Sequence, residues 1–281
     1  MTRGIATALG FGAVLLWAVL ALLTTQAQGI PPLQLLALCF AIGGGASLLL
    51  RPRAWRTWRQ PWRVWALGVG GLFGYHLLYV LSLRMAPPVE ASLIAYLWPL
   101  LIVLMSATVQ RLRWFHIAGA LLGLAGAVLV VSGGRFEVFA PSAGHGVALA
   151  AAFVWSGYSV LSRRVAEVPT EIVGGFCVAA AVLSALAHLA LEAWVWPDAG
   201  GWLAIAGLGL GPLGAAFFLW DIGCKRGDLA VLGAASYAAP LLSTLVLVAA
   251  GLADASWVLG AACALITGGA VLAAQDLLRR G

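Results

Sequence analysis

Apolar stretches long enough to cross a bilayer follow one another ten times along this 281-residue chain: 4–25, 31–50, 64–83, 89–109, 115–133, 145–162, 170–191, 201–223, 229–250 and 256–275. A spanning helix needs about 20 apolar residues, and in hydrocarbon only a helix or a closed barrel satisfies its own backbone. The charged fraction is 9%, against roughly 25% in a soluble domain. The chain therefore reads as an all-α integral membrane protein. Its connections are short, so neighbouring helices should run antiparallel, and no stretch is long or polar enough for a soluble domain.

Charge sets the expected orientation. With a cytoplasmic N-terminus, one face carries Arg3, the loop Arg51, Arg53, Arg56, Arg59 and Arg63, then Arg111, Arg113, Arg163, Arg164, Lys225, Arg226, Arg279 and Arg280. Only Arg84 and Arg135 of the 16 basic residues fall on the other face. Positive charge is retained in the cytoplasm, so both termini are expected inside. The loop from Arg51 to Arg63 interleaves arginine with Trp55, Trp58 and Trp62. Arginines suit anionic headgroups and indoles suit the interface. Because this loop joins two spans directly, it reads as a topology anchor and not as a nucleic-acid site. Arg3 before an apolar run imitates a signal peptide, but the run has a counterpart in the second half and is expected to be retained.

Tyr96-Leu97-Trp98-Pro99-Leu100-Leu101 places a proline near the middle of the fourth stretch. Proline removes a helical hydrogen bond and clashes one turn back. At membrane depth the freed carbonyl is tolerated only against protein or a wet cavity. Pro99 should therefore bend its helix beside a cavity. Tyr237-Ala238-Ala239-Pro240-Leu241-Leu242 repeats the event 141 positions later. Lys225 falls on Arg84 at the same offset, while Trp155 falls on Trp17, Pro169 on Pro31 and Cys177 on Cys39 at an offset of 138. The repeat is five helices long, with halves 1–138 and 139–281. Five is odd, so the second copy enters from the opposite side, giving an inverted repeat with the site expected near the midplane.

Aromatic and polar residues at mid-span mark candidate cavity walls. Tyr75, Tyr79 and Ser82 share one face of the third helix, flanked by His76. Tyrosine and histidine at this depth want hydrogen-bond partners and rarely face lipid, so His76 and Tyr79 either line a cavity or glue helices together. Trp17, Tyr96, Trp98, Trp155, Tyr158, Trp220 and Tyr237 complete the expected substrate-binding set, with plain packing as the alternative. Small residues at Gly119, Gly123 and Gly126, and again from Gly260 to Gly269, suit close helix contact. They make the fifth and tenth helices packing elements or a dimer seam, in a monomer or weak homodimer. Gly207, Gly209, Gly211 and Gly214 with Pro212 mark a second flexible or close-packed place.

Absences narrow the chemistry. Every acidic residue lies at a span end or in a loop: Glu90, Glu137, Glu167, Glu171, Glu192, Asp198, Asp221, Asp228, Asp254 and Asp276. A proton- or sodium-coupled carrier usually keeps a carboxylate deeper, so transport without a carboxylate relay is expected. With no Lys or Arg in the span interiors, a phosphorylated cargo lacks its partner, and a net-neutral cargo fits better. Cys39, Cys177, Cys224 and Cys263 lack metal-site spacing and read as buried small residues. No metal and no cofactor is expected. An intramembrane enzyme would need clustered aspartates, a His-Glu pair or a Ser/His arrangement, and none sits at mid-span.

Ten spans in two copies, the prolines of the fourth and ninth helices, and the segment from Pro87-Pro88-Val89-Glu90 through Tyr96-Leu97-Trp98-Pro99 together resemble the drug/metabolite transporter superfamily, EamA type. Within it, Tyr96 to Leu101 looks most like the YddG-type aromatic amino-acid exporters. The resemblance implies a basket of ten helices, a central cavity, alternating access, and export of aromatic and other amino acids across the inner membrane. It also implies Tyr96 and Trp98 as cavity residues and Pro99 as the bend. The second half lacks the tryptophan, which leaves Pro240 a bending role. Export of lipophilic cations or drugs is the alternative, since aromatic walls attract cations.

Overall fold

A computed structural model of the chain describes residues 1–135 and 141–278; Glu137, Arg279, Arg280 and the expected junction at 138/139 lie outside them. Among the described residues, ten helices are long and apolar enough to span a membrane: α1 Arg3–Gln26, α2 Pro32–Leu50, α3 Trp62–Met85, α4 Pro88–Ser106, α5 Trp114–Ser132, α6 Ala143–Val165, α7 Ile172–Leu191, α8 Ala199–Arg226, α9 Leu229–Ala249 and α10 Trp257–Gln275. Local chemistry starts several of them. Pro32 opens α2, the Thr2 hydroxyl accepts from Ile5 N–H ahead of α1, and Asp228 accepts from Ala230 and Val231 N–H ahead of α9.

The helices pair as the repeat requires. α1 packs on α8 and α6 on α3, while α2 pairs with α7, α5 with α10 and α4 with α9. Exchanging the halves maps each partnership onto itself or onto another in this set. The closest approaches are made where side chains vanish. A Cβ on Gly119 would lie 2.4 Å from the Gly269 carbonyl oxygen, and one on Gly126 would lie 2.6 Å from Ile266. The small faces of α5 and α10 are thus spent on each other within the chain.

Both prolines coincide with a broken helix. α4 is interrupted at Tyr96–Leu97, and α9 at Ser236–Tyr237. Pro99 and Pro240 both point into protein and are buried. A second matched irregularity is a π-helical turn at Gly70–Gly74 in α3 and at Gly211–Ala215 in α8. Such turns leave carbonyls out of register, and both are used: Leu72 O meets His76 Nδ1 at 2.6 Å, and Pro212 O accepts from Trp17 Nε1 at 3.0 Å.

Three expectations need correction. Cys39, Cys177 and Cys224 are buried but Cys263 is exposed, because it lies on the side of α10 turned away from α5. Trp58 is not wholly interfacial: its ring packs edge-on against Trp65 and inward over Gly175 of α7. Asp221 is not at the end of its span, which runs on to Arg226. It lies inside α8, 1% exposed, paired with Lys225 at 2.9 Å.

Candidate functional site

Between the halves lies one large cavity of about 370 Å³. Its deep wall is built from the broken α4 and the mid-points of α1, α3, α6 and α8. The break turns Tyr96 and Trp98 inward, and the π-turn of α3 brings Tyr75, His76 and Tyr79 onto the same wall. Trp17 and Trp155 meet them from α1 and α6, with ring centroids 5.9 Å apart. The cavity reaches Thr24, Pro32, Leu83 and Ser243, so it opens toward the face opposite the N-terminus.

Three indoles, Trp17, Trp98 and Trp155, form the floor, and Trp220 packs beneath them. Trp17 lies edge-on to Trp98 at 6.2 Å and tilts against Trp220 at 5.2 Å. Trp155 stacks on Trp220 at 6.1 Å. Hydrogen bonds fix them: Trp17 donates to Pro212 O, Trp220 Nε1 donates to Ser159 Oγ at 3.0 Å, and Ser156 Oγ donates to Trp98 O at 3.1 Å. Tyr79 Oη and Ser92 Oγ lie 3.1 Å apart, tying α3 to α4. No Asp, Glu, Lys or Arg lines the cavity. Its chemistry is that of aromatic faces with a few hydroxyls and one imidazole, suited to a flat, net-neutral body or to a cation over a ring. Groups of His, Cys, Asp and Glu able to hold a metal are absent among the described residues.

The structure gathers Trp17, His76, Tyr79, Tyr96, Trp98 and Trp155 of the expected set at this wall. The other three stand behind it. Trp220 is fully buried beneath the floor. Tyr158 packs under Trp155 at 5.4 Å, over Gly71 of the π-turn. Tyr237 is turned away against Gly123, and its hydroxyl accepts from Leu100 N–H at 3.1 Å. That bond satisfies an amide freed by the break in α4. Tyr75, Phe217 and Leu213 also line the cavity. Tyr75 shares the helix face that the sequence assigns to Tyr79. Phe217 falls 141 positions after His76, so the repeat offset was the signal that could have found it.

The face on the N-terminal side is sealed. Asp228 takes Arg3 at 2.8 Å and Gln110 Nε2 at 2.9 Å, and Thr7 Oγ1 accepts from Asp228 N–H. Arg163 reaches the Cys224 and Gly227 carbonyls. At the opposite face Glu192 draws α2, α3 and α7 together, accepting from Leu33 and Gln34 N–H and pairing with Arg84 and His188. Burial alone would raise the Glu192 carboxyl, but these donors outweigh it and hold it below the usual range.

Ten spanning helices in two inverted halves around an uncharged aromatic cavity define a membrane carrier. The chain belongs to the EamA-like transporter family, whose model matches it twice, at residues 4–132 and 142–275. It is 55% identical to the aromatic amino acid exporter YddG of Ancylobacter novellus, over 97% of this chain and 98% of that protein. It is 25% identical to the aromatic amino acid exporter YddG of Escherichia coli K12, over 92% and 93% of the two chains. A crystal structure of a protein 54% identical superposes with a TM-score of 0.92, covering 97% of this chain and 98% of that one.

Proposed function

We propose that this carrier exports aromatic and other neutral amino acids across the bacterial inner membrane, with both termini cytoplasmic, by alternating access between the halves 1–138 and 139–281. The observation that carries the reading is the cavity of about 370 Å³ walled by Trp17, Tyr96, Trp98 and Trp155 at the break in α4, without a charged side chain. Its volume lies in the range of small-molecule sites. With the N-terminus inside, the state described here is open to the outside. Names borne by similar proteins over nearly their full lengths support the same cargo class. Cavity-lining side chains bind the cargo's apolar body, and backbone groups freed at the break in α4 are available to its charged ends.

The uncharged aromatic wall also supports a second reading, export of lipophilic cations held by ring faces. Counterflow in proteoliposomes separates the two. Vesicles preloaded with unlabelled phenylalanine should accumulate labelled phenylalanine, tryptophan and smaller neutral amino acids, with little competition from a methyl viologen-like cation. Absence of counterflow for every amino acid in the panel, with counterflow of the cation, would reverse the assignment.

A further inference from the structure

The open cavity has a mirror image that is closed in this structure. Leu20, Thr24 and Val80 line the open cavity. Their counterparts in the other half are Tyr158, Ser162 and Asp221, at offsets of 138, 138 and 141. These three residues line a separate void of only about 10 Å³ together with Lys225. The void lies on the N-terminal side of the indole floor. The agreement is not built in, because one set comes from counting along the chain and the other from the shape of the interior.

Its chemistry is unlike that of the open cavity. Asp221 Oδ2 lies 2.9 Å from Lys225 Nζ and 2.6 Å from Thr170 Oγ1, and Lys225 donates to Val168 O at 2.8 Å. Both charges are buried. An apolar pair of similar volume would serve stability as well or better, and an ionisable residue inside a span is by default a functional candidate. The Tyr158 hydroxyl is buried in the same place with no hydrogen-bond partner, an arrangement that costs stability.

We propose that Tyr158, Ser162, Asp221 and Lys225 form a second cargo site, collapsed here, that opens to the N-terminal face when the halves exchange conformations and takes a zwitterion between the Asp221 carboxylate and the Lys225 ammonium. The cargo's ammonium displaces Lys225 from Asp221, its carboxylate takes Lys225, and Tyr158 gains the partner it lacks. The charge assignment rests on the amino-acid reading above; the existence of the cavity does not. Trp220 and Tyr237 belong to the same hidden wall, since Tyr79 and Tyr96, their counterparts, line the open one.

Cys224 supplies the test. Its counterpart, Leu83, lines the open cavity, whereas Cys224 is fully buried. With Cys39, Cys177 and Cys263 replaced by alanine, Cys224 is the sole thiol. A membrane-impermeant methanethiosulfonate applied to sealed vesicles should modify it from the N-terminal face only, at least tenfold faster during phenylalanine counterflow. A Cys224 silent from both faces would overturn the proposal. Labelling from the N-terminal face without counterflow of any amino acid would keep the cavity and remove the amino-acid reading. Asp221→Asn should cut counterflow at least tenfold, and so should the double variant with Lys225→Met, which leaves no unpaired ammonium. Asp221→Glu should recover part of the loss. Wild-type counterflow in either neutralised variant would overturn the charge assignment.

Discussion

Tyr96 and Tyr237 hold the same place in the two halves and do different work. Tyr96 faces the cavity, while the Tyr237 hydroxyl takes the Leu100 N–H that the break in α4 sets free. Tyr237→Phe leaves that buried amide without its partner, and an orphaned buried donor costs on the order of 1–3 kcal/mol. Thermal unfolding in detergent should show the loss, and an unchanged midpoint would argue against the cap. Glu192 makes a different kind of contribution. Its carboxyl is held below the usual range, so the stability it contributes is present above the ordinary carboxylate pKa and is lost as pH falls through the lower folded value. Glu192→Gln should cost about 2 kcal/mol at neutral pH and flatten the acid limb of a midpoint-against-pH curve. A parallel acid limb in the variant would assign the acid sensitivity elsewhere.

Helices in this protein meet through what their sequences omit. Gly119 and Gly269 bring α5 and α10 to backbone contact, and a Cβ on Gly119 has no flexible side chain to displace. Gly119→Ala should therefore separate the pair and destabilise by about 1–3 kcal/mol, as overpacking does. Gly45, which faces open space, is the control for alanine in a helix. The matched π-turns at Gly70–Gly74 and Gly211–Ala215 were only half legible. The glycines and Pro212 of α8 announced an irregularity, but a π-turn is a choice of hydrogen-bond register that composition does not encode. The proline breaks were fully legible, because a missing N–H and a ring clash act locally whatever surrounds them.

At the scale of the whole molecule, the number of spans and the pairing of halves were readable from periodicity and offset. The captured state was not. Tyr158, Trp220 and Tyr237 carry the same signals as the residues at the open wall. In this structure all three are buried behind the wall; under the alternating access proposed above they line the cavity of the other conformation, and a sequence does not distinguish the two. Asp221 eluded the reading for another reason. The sequence places it at a span end, whereas α8 runs on to Arg226 and the packing of α6 and the segment around Val168 and Thr170 bury it. If cargo passes through the cavity at the break in α4, counterflow of labelled phenylalanine in proteoliposomes must depend on Trp98, and purified Trp98→Ala is the decisive variant. The indole is packed among Trp17, Trp155 and Trp220, so the variant should lose at least tenfold in rate while eluting as a folded, monodisperse protein. A folded Trp98→Ala that exchanges phenylalanine at the wild-type rate would contradict the account.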